Sequence, residues 1–125
     1  MFYEIQMAIG HHCSNGESLP PDRVEAAKNL GLSKLTHILS GGWAIDGNGG
    51  HTSAEGRCLL EPCSLLTAYA TEIGESDRTQ LLTVASVIAA QLEQESVLIT
   101  IKRVDGTMLW VKPDASTRGW DEQAA

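Results

Sequence analysis

A chain of 125 residues, 42% hydrophobic and 20% charged, has the size and composition of one globular domain, which excludes wholesale disorder. Its formal net charge of −7 argues against a basic nucleic-acid groove or a contact with anionic membrane as the main working surface. Aromatic residues make up only 5%, so the core must be built mainly from aliphatic side chains.

Phe2 to Ile9 alternates, with Tyr3, Ile5, Met7 and Ile9 on one side and Glu4, Gln6 and Ala8 on the other. A period of two predicts a half-buried strand, ended by Gly10. Residues 10–20 read as a loop carrying His11, His12 and Cys13. Pro21 and Asp22 suit a first helical turn, and Val24, Ala27 and Leu30 recur at helical spacing up to a stop at Gly31. Leu35-Thr-His-Ile-Leu39 is compatible with a helix extension or a strand; Thr and Ile favour the strand, and Ser40-Gly41-Gly42 follows as a break.

Residues 44–62 contain Gly47, Gly49, Gly50 and Gly56 and read as a long hairpin connection with short strand arms at most. Cys63 to Thr71 reads as a buried strand. Asp77 opens the clearest helix, over 77–94, with Gln80 completing a capping box and Leu81, Ala85, Ile88 and Leu92 on one stripe. Val97 to Ile101 is the strongest strand. Asp105-Gly106 is a hairpin signal, and Thr107 to Lys112 returns as a further strand before Pro113. Residues 114–125 form a polar, flexible tail after a single domain spanning 1–113.

The order β-α-β-β-α-β, with an extra C-terminal strand, predicts an α+β ferredoxin-like sandwich: an antiparallel sheet with two helices on one face. The run Leu35 to Trp43, then Gly47, Leu60-Glu61-Pro62 and Gln94-Glu95-Ser96-Val97, resembles small ferredoxin-like bacterial domains of unknown function, over roughly residues 3–112. That resemblance implies the fold and brings no catalytic residues.

In such a sheet the end of the first strand, the central hairpin and the start of the last strand share one edge. His11, His12, Cys13, His51, Cys58 and Cys63, with Glu61 and Glu95, are therefore candidates for a ligand or metal site at one end of the domain. Zinc takes imidazole and thiolate in tetrahedral sets, and His11, Cys13, Cys58 and Cys63 supply those types, although their spacing matches no established half-site. Otherwise no cofactor is expected. Cys13 beside His12 would serve as a nucleophile pair if the two side chains faced one another. Asp46-Gly-Asn-Gly-Gly50 lacks the Lys-Ser/Thr of a P-loop, so a hairpin is the better reading than a phosphate cradle.

Three cysteines, an odd number, and a start that reads as a strand instead of a charged and apolar leader predict a reducing, cytoplasmic setting. The run Leu81 to Ala90 is far shorter than the ~20 residues a membrane span needs. Three function classes follow. A non-enzymatic binding or accessory protein acting as a homo-oligomer leads, with a homodimer as the expected assembly and Trp110 as an interface residue. A small-molecule or metal-binding domain using the His11/His12/Cys13 edge comes next, and a small enzyme with its site at that edge is third.

Overall fold

The computed structural model describes residues 1–39, 41–52 and 54–113. The expected flexible tail, 114–125, lies outside them. The elements run β1 (Phe2–Gly10), α1 (Pro21–Leu39), β2 (Trp43–Thr52), β3 (Cys58–Ala70), α2 (Glu75–Gln91) and β4 (Leu98–Val104). The sheet is antiparallel throughout, in the order β2-β3-β1-β4, and the architecture is ferredoxin-like.

Alternation in β1 sets the two faces. Ile5, Met7 and Ile9 are fully buried and point at the helices. Their β3 partners Ala68, Leu66 and Ser64 lie on the same face. From α2, Leu81, Val84, Ala85 and Ile88, with Leu92 at its C-cap, close over them, and Ile99 and Ile101 of β4 pack against this core. The expected helical stripe and its meeting with Ile5 and Ile99 are therefore found. No helix of the described residues is long and apolar enough to cross a membrane.

Four expectations are corrected. First, α1 does not stop at Gly31. It continues to Leu39, so residues 35–39 are helix, not strand. Val24, Ala27, Gly31, Leu35 and Leu39 form one buried stripe, and a Cβ on Gly31 would lie 2.5 Å from Leu66 Cδ2. Glycine here permits close helix–sheet approach instead of ending the helix.

Second, the 44–62 connection is itself sheet. β2 and β3 pair from Trp43↔Thr67 to Thr52↔Cys58, and Gly56, at φ 82°, makes the turn. Gly49, opposite Glu61, allows a close approach: a Cβ there would lie 3.2 Å from the Cys63 sulfur, which would have to give way by a few tenths of an ångström.

Third, α2 starts at Glu75, so Asp77 is its third residue and not its cap. Asp77 Oδ2 accepts a bond from the Gly74 amide at 3.0 Å, which is the only capping arm because Gly74 has no side chain. Gln80 bonds Ser76 at 3.2 Å instead.

Fourth, the extra C-terminal strand is not formed: residues 107–112 carry no strand. A two-residue type I′ hairpin needs positive φ at both turn positions. Asp105 and Gly106 are not among the positive-φ residues, which are Gly16, Gly41, Gly56 and Glu93 in the described chain. The chain instead comes to the ends of α1 and β3. There Met108 and Trp110 border a shallow hollow with Ile38, Leu39, Tyr69 and Ala70.

Candidate functional site

Antiparallel pairing brings the finish of β1 and β2 to the same end as the start of β3 and β4. Two loops complete that end. The first follows β1 as a tight reversal, in which Cys13 N–H donates to Glu17 O and Leu19 N–H to His11 O, both at 2.9 Å. His12 and Ser18 therefore face each other across it. The second loop, after α2, turns at Glu93, whose φ is 52°.

Polar side chains lock these loops together. Gln94 Nε2 donates to Gly10 O at 2.7 Å and to His12 O at 2.9 Å. Ser14 N–H donates to Glu93 O at 2.9 Å. From β3, Glu61 Oε2 accepts the His12 amide at 2.9 Å and lies 3.8 Å from its Nδ1. Gly10 makes room for this carboxylate, since a Cβ there would sit 2.5 Å from Glu61 Oε1.

The result is a cavity of about 380 Å³, within the size range of small-molecule sites. Glu61, Gln94, Glu95 and His12 give it polar groups, while Ala8 and Leu98 give it an apolar side. Among the described residues neither Lys nor Arg lines it.

The sequence candidates divide. His12, Cys13 and Cys63 line the cavity together with Glu61 and Glu95. His11 does not; its Nε2 lies 2.8 Å from Ser64 Oγ, on the helix-covered face. Cys58 is exposed at the start of β3 and is not part of the lining. His51 is placed by its backbone alone, in β2 opposite Leu59. The quartet His11, Cys13, Cys58 and Cys63 is thus spread over both faces. Among the described residues no group of three or more His, Cys, Asp or Glu side chains is arranged to hold a metal ion.

Cys13 is engaged with its own loop, its Sγ donating to Asn15 Oδ1 at 2.6 Å, so the proposed pairing with His12 is not made. Burial raises the Cys63 thiol above its ordinary pKa, and the negative charges of Glu61 and Asp46 add to the rise. Cys63 is a protonated wall residue at neutral pH.

Behind the cavity runs a second polar chain. Ser64 is fully buried, and its hydroxyl donates to Asp46 Oδ1 at 2.6 Å. Lys28 of α1 reaches the same carboxylate at 3.3 Å. The Ser64 hydrogen bond, then Lys28, holds the Asp46 carboxyl below its usual range. Because the single Ser64 proton goes to Asp46, its oxygen accepts from His11 Nε2–H. Gln94, Ser64 and Asp46 were not candidates on sequence grounds. A lone serine inside the apolar run Cys63 to Ala70, and a glutamine between helix and strand, were the signals for the first two.

Comparison with known proteins adds the fold relationship. No protein-family model matches the chain, and no curated protein matches it. Among solved structures, a phage SAM lyase in complex with S-methyl-5'-thioadenosine superposes with a TM-score of 0.62 at 16% identity, covering 81% of this chain and 80% of that one. The phage SAM lyase in its apo state gives 0.58 at 16% identity, over 80% and 78% of the two chains. The likeness is one of fold.

Proposed function

We propose that this protein binds S-adenosylmethionine, or a sulfonium nucleoside of the same class, in the cavity at the end of the sheet and cleaves it to S-methyl-5'-thioadenosine. The observation that carries this reading is the cavity's charge: two carboxylates, Glu61 and Glu95, and, among the described residues, neither Lys nor Arg. Such a lining suits a cationic ligand and opposes a phosphorylated one. The solved lyases, similar in fold over four-fifths of the chain, supply the reaction type.

The cleavage breaks the bond between sulfur and the amino-acid side chain. The bonding pair passes to sulfur, the positive charge disappears, and the thioether departs. The four-carbon remainder closes through its own carboxylate to a lactone or loses a proton to become an unsaturated amino acid. Sulfur loses charge along this path, so an acidic group beside it would favour the starting state. Carboxylates serve better on the α-ammonium, which keeps its charge and whose placement orients the reacting carbon. Ala8 and Leu98 offer the departing thioether an apolar wall.

The test is to incubate the purified protein with S-adenosylmethionine and follow S-methyl-5'-thioadenosine by chromatography with mass detection. Protein-dependent product is expected, with kcat/KM falling by roughly 10²-fold in Glu95→Gln if an orienting contact is lost. No product above the buffer rate overturns the reading. A non-enzymatic binding role would use the same cavity without turnover: saturable binding with no product would establish it instead.

A further inference from the structure

Three side chains stand in line at the edge of the cavity: Glu61 and His12 belong to its lining, and Ser18 is exposed on the adjoining loop. His12 Nε2 lies 3.3 Å from Ser18 Oγ, and its other nitrogen, Nδ1, lies 3.8 Å from Glu61 Oε2. Glu61 also accepts the His12 backbone amide at 2.9 Å, so one carboxylate holds the main chain and stands beside the ring. We propose that Ser18, His12 and Glu61 form a nucleophile–base–acid relay that takes acyl groups from small carboxylic esters, a second activity that shares Glu61 and His12 with the cavity but does not require the sulfonium reading.

The argument begins with the tautomer. A carboxylate can only accept hydrogen bonds, so Glu61 favours the proton on Nδ1. In that tautomer Nε2 keeps its lone pair, 3.3 Å from a hydroxyl that can give up its proton. This is the connectivity that activates a serine: acid to Nδ1, hydroxyl to Nε2. Both separations are longer than in a working complex, as ligand-free catalytic contacts commonly are.

The loop holds the pair in place. His12 and Ser18 are directly opposed across the reversal, flanked by the Cys13–Glu17 and His11–Leu19 backbone bonds. Gln94 fixes the carbonyl of His12 from the second loop. Glu61 is mostly buried, with 14% of its side chain exposed, whereas Ser18 lies at the surface, where a substrate can reach it.

The chemistry balances without a further reactant except water. Ser18 Oγ bonds to the ester carbonyl carbon as its proton moves to His12 Nε2. The carbon–alkoxide bond then breaks, and the departing alcohol takes that proton. Water, deprotonated by the same nitrogen, attacks the acyl-serine; the acid leaves and Ser18 regains its proton.

A fluorophosphonate probe, which phosphonylates activated serines, tests this on the intact protein, with the site read by peptide mass spectrometry. Modification of Ser18 at least about 100-fold faster than in heat-unfolded protein is expected, with a similar loss in His12→Gln and a loss of at least about tenfold in Glu61→Gln. Ser18→Ala should abolish labelling, and the exposed position of Ser18 makes this variant compatible with folding, checked by thermal melt. Wild-type protein that labels no faster than unfolded chain, or labels elsewhere than Ser18, overturns the proposal. Formation of S-methyl-5'-thioadenosine is measured separately, so either activity can fail while the other stands.

Discussion

Burial separates the chemistry of residues that look alike in the sequence. Cys58 is exposed, while Cys63 faces the cavity with a thiol pushed up by burial and by the charges of Glu61 and Asp46. Alkylation requires the thiolate. Iodoacetamide near neutral pH should therefore modify Cys58 well before Cys63, and the gap should narrow as the pH rises. Peptide mapping over time checks the order; a faster Cys63 would contradict the burial argument. Asp46 moves in the opposite direction, with its carboxyl lowered by Ser64 and Lys28. A lowered carboxyl stabilises the fold above its unfolded pKa, 3.8 for an ordinary aspartate, and that contribution disappears as the pH falls through the lower folded value. The difference in melting temperature between wild type and Asp46→Asn should thus be largest near neutrality and close in strong acid. A difference that grows on acidification would reverse the assigned direction.

Among the elements, α2 and α1 test two different forces. Ile88 is fully buried on the α2 stripe, so Ile88→Ala should cost about 2–4 kcal/mol in chemical denaturation, and a loss below about 0.5 would place the stripe in solvent. Gly31 of α1 sets propensity against packing. Alanine in a helix interior gains about 1 kcal/mol over glycine, but a Cβ 2.5 Å from Leu66 Cδ2 overfills a packed contact, at a cost of about 1–3 kcal/mol. Packing should win, and Gly31→Ala should be less stable than wild type. The same residue explains why the strand expectation for 35–39 failed. Local propensity cannot register that Gly31, Leu35 and Leu39 share one buried face with Val24 and Ala27. β1, α2 and β4 were legible because each carries a complete period of its own. β2 was not, because Gly47, Gly49 and Gly50 have no side chains to alternate, and their strand is imposed by pairing with β3. The end-of-sheet position of the site followed from topology. Which candidates share the cavity did not, because a single step along the chain, from His11 to His12, exchanges the helix-covered face for the cavity.

For the molecule as a whole, the open face of the sheet raises the question of self-association. The helices cover the face of Ile5, Met7 and Ile9. The other face carries Trp43 and Ile45 on β2 and Leu98 on β4, which are 42%, 60% and 64% exposed. Its middle is more polar, with Gln6 Nε2 donating to Thr67 Oγ1 at 3.5 Å. Tyr69 lies between Phe2 and Trp43, with ring centroids 5.6 and 5.1 Å away, and makes an aromatic row on that surface. A long 44–62 hairpin folded over this face would cover it, but as β2 and part of β3 that segment lies within the sheet, and among the described residues the face is left uncovered. Exposed apolar side chains on an uncovered sheet face favour association, and a twofold pair is the commonest outcome. We therefore expect a homodimer at micromolar concentration. Light scattering should report close to twice the 13.4 kDa of the chain, and a single-chain mass would rule the dimer out. Two substitutions then locate the contact. Ile45→Asp should give monomer if the open face pairs. Trp110, 72% exposed at the far end beside Met108, is the competing anchor, and monomer from Trp110→Glu with Ile45→Asp still dimeric would move the interface there.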